Sequence, residues 1–181
     1  MENQLQYRRI LCAEDPLFAP SWALYQEAFP LNERRSCHYQ LRTLQHPLYH
    51  HCAVMDGDSF IGLLMWWDFE ESLYIEHLAT LPSLRGRSYG EKILEDLKAK
   101  TTKPIILEVE IPTCEIQHRR IGFYSRVGFK LSPLEYSHPP YSLDSDTPVE
   151  LQIMSYPNEI NTKELAQFKQ HLPEIHFIHI Y

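Results

Sequence analysis

The sequence predicts a mixed α/β fold of the α+β type, in which a hairpin meander feeds two consecutive βα units. Three observations carry that reading. Stretches of alternating apolar residues, such as Pro104–Ile111, are interleaved with stretches whose apolar residues recur at helical spacing, such as Ile93, Leu94 and Leu97. Turn and stop signals (Asp56-Gly57-Asp58, Pro30, Pro47, Gly128) fall between those stretches. The resulting order is β, α, α, β, β, β, α, β, α, β, β, α, and 181 residues are enough to bury one core.

Taken in order, Tyr7–Cys12 reads as a first strand. Pro20 and Ser21 open a helix through Trp22, Leu24, Tyr25 and Ala28, which Pro30 stops. A charged helical stretch covers about 33–45 and ends near Pro47. His51–Met55 and Phe60–Phe69 form a hairpin around Asp56-Gly57-Asp58. Leu73–Thr80 is the next strand, and a helix over about 87–100 presents Ile93, Leu94 and Leu97 to a sheet. In the strand that follows, Ile105, Leu107, Val109 and Ile111 point one way, and Ile106, Glu108 and Glu110 the other. A helix over about 115–127 closes at Gly128, Phe129–Leu131 starts another strand, and Pro148–Ser155 gives the last. Between those two strands runs SPLEYSHPPYSLDSDT, a polar and aromatic excursion read as a substrate-facing flap. Residues 161–171 read as a final helix and the tail EIHFIHIY as an edge strand.

Composition narrows the function. With 44% hydrophobic and 23% charged residues the chain is globular rather than disordered. A net charge of -7 argues against non-specific nucleic-acid binding and against an anionic membrane surface. Cys12, Cys37, Cys52 and Cys114 lie far apart without a CxxC pair, which fits reduced thiols in a cytoplasmic protein. The N-terminus MENQLQYRRI has no apolar signal core, and no stretch reaches the ~20 apolar residues that span a bilayer. Against the acidic background, arginines at 85–87 and 119–120 would suit one small anionic ligand.

The most informative segment is LYIEHLATLPSLRGRSYG, residues 73–90. A β-rich run ends at Leu81-Pro82, a loop of basic and small residues follows, and EKILEDLKAK continues as a helix. Small residues let backbone approach a ligand, and the first N–H groups of a helix point outward with partial positive charge. Strand, glycine-bearing loop and helix start together make a seat for a phosphate or pyrophosphate. Arginines at a helix start oppose its dipole, which a bound anion explains more simply than solvated surface charge does.

At these residues the chain resembles the GNAT superfamily of acyl-CoA-dependent N-acyltransferases. That family's coenzyme motif is Gln or Arg, two variable residues, Gly, one variable residue, then Gly or Ala. Here it reads Arg85-Gly86-Arg87-Ser88-Tyr89-Gly90, with Ser88 in place of the first motif glycine. Leu78-Ala79-Thr80-Leu81-Pro82 is similar to the family's strand end, and Arg119 through Phe129 to its helix that ends in tyrosine and then Gly-Phe. Gln117 stands where many members carry an asparagine that contacts the coenzyme arm.

The resemblance implies one domain over 1–181 with a central, largely antiparallel twisted sheet of about seven strands flanked by helices, the C-terminal helix and tail (159–181) packing on it. It implies acetyl-CoA as cosubstrate, held by Leu78, Ala79, Thr80, Arg85, Gly86, Arg87, Ser88, Tyr89, Gly90 and Gln117. The acceptor it implies is a small-molecule or peptide amine, in a cytoplasmic protein without nucleic-acid or membrane partners, and it admits a homodimer. Tyr124 would protonate the departing thiolate. Glu76, on the strand that ends at the coenzyme seat, is the first candidate for the base that deprotonates the amine; Glu108 is its rival. Direct transfer in a ternary complex is the expected chemistry, since holding both reactants together supplies much of the rate. A non-catalytic acyl-CoA sensor of the same fold, or an interaction protein, stays open beside it.

No metal is expected: His50 and His51 are adjacent and point apart, and His176 and His179 fit no zinc spacing. On the acceptor side Trp66, Trp67, Tyr136, His138 and Tyr141 would line a pocket, and Asp144 and Asp146 would attract a cation.

Overall fold

The computed structural model describes residues 4–139 and 148–177. These form eight strands and five α-helices, gathered into two compact units. The mixed α/β class and the antiparallel pairing agree with the sequence reading, with one strand more than the seven expected.

The first unit holds the chain up to Phe69 together with Ile75–Thr102. It contains β1 (Gln6–Arg9), α1 (Phe18–Ala28), α2 (Cys37–Thr43), β2 (Tyr49–Asp56), β3 (Ser59–Asp68), most of β4 (Leu73–Thr80) and α3 (Tyr89–Lys100). Its strands run in the order β1-β2-β3-β4. The β2–β3 hairpin pairs Asp56 with Ser59, and Gly57 takes the left-handed φ of 58° that the tight turn demands. Ile93, Leu94 and Leu97 of α3 are buried, as their spacing predicts. The helix expected over 33–45 shortens to α2. Arg34 is extended at φ -120°, and Ser36 caps the helix by accepting from the Tyr39 amide. That extended stretch is what lets Arg35 turn inward.

The second unit holds Glu70–Tyr74 and the chain from Lys103 on. It contains β5 (Ile105–Glu110), α4 (Glu115–Arg126), β6 (Lys130–Leu131), β7 (Tyr136–His138), β8 (Val149–Tyr156) and α5 (Thr162–Phe177). β8 pairs antiparallel with β5 and also with β6 and β7. β7 is the strand missed in the excursion after Leu131, where only an irregular flap was expected. Its register, Tyr136↔Leu151 to His138↔Val149, depends on a partner distant in the sequence. Residues 140–147 of that flap, with Tyr141, Asp144 and Asp146, lie outside the described residues.

The final helix also outruns its expected end at 171. It continues through Pro173 to Phe177, because the apolar face of Leu165, Phe168, Leu172 and Ile175 stays buried past the proline. Residues 174–177 are therefore helical, not an edge strand, and 178–181 lie outside the described residues. Among the described residues no helix is long and apolar enough to cross a membrane.

Candidate active site

After β4 the chain makes one 3-10 turn, Pro82–Leu84, and enters α3 at Tyr89. Gly86 and Ser88 both take left-handed backbone, at φ 78° and 58°. A Cβ on Gly86 would meet nothing within 4 Å, so glycine serves the dihedral there and not the space. Ser88 adopts the conformation a glycine takes freely, at a cost of roughly 1 kcal/mol. Its hydroxyl makes no cap bond, so the first amides of α3 are not satisfied by it. Arg85, Gly86, Arg87 and Ser88 are exposed, and neither arginine has an ion-pair partner among the described residues. The Tyr89 hydroxyl donates to Asp56 Oδ2 at 2.8 Å and ties this first turn to the end of β2. Two free cations and a helix N-terminus thus meet at one exposed bend.

Leu78, Ala79 and Thr80, at the end of β4, are half-buried. Gly62 of β3 lies against them. A Cβ there would collide with the Ala79 carbonyl oxygen and stand 3.1 Å from Thr80 Cα.

Tyr124 sits in the last turn of α4, which Gly128 ends at φ 94°. The Phe129 amide donates to the Tyr124 carbonyl at 3.0 Å and the Gly128 amide to Ser125 at 3.0 Å, a Schellman closure. The Phe-Tyr-x-x-x-Gly-Phe pattern is thus a capping requirement that also fixes where Tyr124 stands. Its ring packs edge-on against Phe123 and Phe129, at centroid distances of 5.1 and 5.8 Å. Burial pushes its phenol above the usual tyrosine range, with the Arg120 charge opposing, so it remains a neutral donor at physiological pH. Its hydroxyl makes no hydrogen bond among the described residues.

The two candidate bases differ sharply. Glu76 faces inward, its side chain fully buried against Arg35, with Nη1–Oε2 at 2.8 Å and Nη2–Oε1 at 2.5 Å. Trp67 Nε1 also donates to Oε2 at 3.2 Å. Burial alone would raise this carboxyl, but the charges of Arg35 and His77 together with the hydrogen bonds from Arg35 and Trp67 outweigh it and hold Glu76 well below the usual carboxylate range. Such a group is a poor proton acceptor, which weighs against Glu76 as the first candidate for the base. Glu108 of β5 accepts from the Tyr74 hydroxyl at 2.8 Å and from the Tyr136 hydroxyl, with His138 Nε2 at 3.8 Å. Its side chain is 8% exposed.

Other expected residues make contacts within their own unit. The Gln117 side-chain oxygen accepts from the amides of Thr113 and Cys114 at 2.6 and 3.1 Å, so it caps its own helix. Arg119 pairs with Glu115 and Arg120 with Glu110, each at 2.6 Å. Trp67 is buried in the Arg35–Glu76 cluster, and Trp66 stacks on His50 at 4.7 Å. Cys52 is buried, and all four cysteines are free thiols. Among the described residues no cluster of metal-ligating side chains forms. Sequence reasoning missed the inward turn of Arg35, since its partner lies 41 residues away with no local signal.

Comparison with known proteins adds to this geometry. A family model described as "Acetyltransferase (GNAT) family" matches residues 7–129. The chain is 29% identical over 156 residues to "Putative acetyltransferase YjbC" of Bacillus subtilis (strain 168), covering 83% of this chain and 78% of that protein. A solved GNAT-family structure from Bacteroides thetaiotaomicron aligns with a TM-score of 0.85 at 30% identity, covering 97% of this chain and 99% of that one. Arabidopsis thaliana Naa50, solved with the bisubstrate analogue CoA-Ac-MVNAL, aligns with a TM-score of 0.58 at 18% identity, over 84% of this chain and 97% of that one. At that identity the likeness is one of fold.

Proposed function

The chain belongs to the GNAT acetyltransferase family, and from that premise we propose that it transfers the acetyl group of acetyl-CoA directly to a primary amine, with both reactants bound at once. The observation that carries this reading is the bend at 85–90. There left-handed Gly86 and Ser88, two arginines without an ion-pair partner among the described residues, and the start of α3 present donors and positive charge to solvent. A diphosphate supplies the negative charge that such a bend lacks.

Each step then falls to a group with suitable chemistry. The Arg85–Gly90 loop takes the diphosphate, Arg85 and Arg87 adding charge to the backbone donors of Gly86, Ser88, Tyr89 and Gly90. The backbone of Leu78, Ala79 and Thr80 takes the pantetheine arm, and an amide there faces the thioester oxygen as charge develops on it. Gln117 keeps only its side-chain NH2 for the coenzyme, because its oxygen is committed to capping. Tyr124 donates to the departing thiolate as a neutral phenol. Glu108, and not the ion-paired Glu76, takes the proton from the amine. The acceptor is a small-molecule or peptide amine in a cytoplasmic protein; Naa50, for comparison, is solved with the bisubstrate analogue CoA-Ac-MVNAL.

Thiol release from acetyl-CoA tests the reading, with benzylamine, spermidine, kanamycin and short peptides bearing free N-termini as acceptors. Release that depends on one class of amine is the expected result. CoA binding without release by any of them would leave a sensor in place of an enzyme.

A further inference from the structure

Three side chains of the second unit converge on the Glu108 carboxylate. Tyr74 comes from the start of β4, and Tyr136 and His138 from β7. The β7 register places Tyr136 and His138 on one face, opposite Leu151 and Val149 of β8, with Ser137 turned the other way. Tyr136 is 4% exposed and His138 0%. Phe168 of α5 backs both tyrosine rings, at 5.0 and 6.1 Å. Among the described residues, the ionisable groups seen around the Glu108–His138 pair include Tyr74 and Tyr136, with the Lys169 ammonium 5.6 Å from the Tyr136 ring.

The orientation of His138 is fixed by its own neighbour. Nδ1 lies 2.6 Å from the Pro139 carbonyl oxygen, which can only accept, so Nδ1 carries the hydrogen. In the neutral ring Nε2 then carries no hydrogen, and it lies 3.8 Å from Glu108 Oε2. The carboxylate already accepts from two phenols, and Nε2 is the imidazole nitrogen that lies nearest to it, so a proton arriving on Glu108 has that nitrogen as a neighbouring acceptor.

We propose that His138 completes the base: the proton that Glu108 takes from the acceptor ammonium passes on to His138 Nε2. The inference rests on the reading of Glu108 as the base. In the first step an N–H bond of the ammonium breaks and an O–H bond forms on Glu108. In the second that O–H bond breaks and Nε2–H forms, leaving neutral amine, a Glu108 carboxylate and an imidazolium held between that carboxylate and the Pro139 carbonyl. The 3.8 Å gap needs to close by about 1 Å for the second transfer. His138 acts through Glu108, as a positioning residue that stores the proton.

The test combines spectroscopy with kinetics. In the wild-type protein at pH 8, side-chain nitrogen NMR shows His138 as the Nδ1-protonated tautomer; an Nε2-protonated ring overturns the proposal. With acetyl-CoA and the amine that gives fastest thiol release, His138→Gln lowers kcat about tenfold near neutrality, recovering as pH rises, with KM for acetyl-CoA within about twofold. Glu108→Gln loses about a hundredfold or more at every pH. Full turnover in Glu108→Gln removes the reading of Glu108 itself. An inactive Glu108→Gln beside a His138→Gln enzyme with the wild-type kcat and pH profile removes only the relay. If His138→Gln does not fold, the wild-type tautomer decides alone.

Discussion

Arg35 grips Glu76 through both carboxylate oxygens, Nη1–Oε2 at 2.8 Å and Nη2–Oε1 at 2.5 Å, with neither side chain reaching solvent. The guanidinium also lies over the Tyr49 and Trp67 rings, at 5.4 and 5.9 Å. This contact pins the residues before α2 to β4, and it commits the Glu76 carboxylate to an ion pair.

Removing one partner of such a pair strands a buried charge and costs about 3–5 kcal/mol. Arg35→Met and Glu76→Gln are each expected to lose stability in that range by urea denaturation. Replacing both by apolar residues costs much less than the two losses added. Glu76→Gln protein that stays folded keeps its turnover. A folded Glu76→Gln protein with no turnover would return the base to Glu76.

Stability in acid should fall early. Burial, followed by the charges of His77 and Arg35, pushes the His51 imidazole down to about 3 from its ordinary 6.5. Ser21 Oγ and Gln40 Nε2 hold its two nitrogens at 2.6 and 3.1 Å, in a site built for the neutral ring. The unfolded chain binds this proton below about pH 6.5 and the folded chain does not. The stabilisation is therefore intact above that pH and is lost as pH falls toward 3, with a slope approaching about 1.4 kcal/mol per unit. Glu76 adds to the loss below its own ordinary range, since its folded state is also held ionised. Denaturation series between pH 7 and 4.5 check this, and His51→Gln is expected to flatten the upper part of the curve.

Backbone geometry around the bend gives two opposite outcomes. Ser88→Gly removes a side chain from left-handed backbone and is expected to stabilise the fold by up to about 1 kcal/mol, less whatever the freer unfolded chain takes back. Gly62→Ala drives a methyl into the Ala79 carbonyl and is expected to cost about 1–3 kcal/mol while raising KM for acetyl-CoA. Thermal denaturation and steady-state kinetics read both.

Tyr124→Phe keeps the ring between Phe123 and Phe129 and removes only the hydroxyl. We expect kcat to fall about a hundredfold with CoA affinity nearly unchanged. Equal turnover in the variant would take the acid role from Tyr124.

What could be read from the chain alone was what neighbours in sequence decide. The Asp56-Gly57-Asp58 turn, the strand Leu73–Thr80, the glycine-bearing bend and the Gly128 cap are each local, and each stands where expected. Long-range partners decided the rest. β7 exists because Tyr136, Ser137 and His138 find β8 beyond a long loop, which no periodicity over three residues announces. The helix α5 overrides Pro173 because its apolar stripe has a core to fill. Glu76 and Glu108 read alike as strand glutamates. They separate only once Arg35 is seen on one, and Tyr74, Tyr136 and His138 around the other.

Calorimetric titration with CoA and, in parallel, with pantetheine, which has no diphosphate, puts the bend at 85–90 to its most direct trial. Saturable binding of CoA, little or none of pantetheine, and marked weakening in Arg85→Ala/Arg87→Ala are the outcomes that follow from the geometry. No heat with CoA at millimolar concentration, or equal affinity for the two ligands, would contradict it.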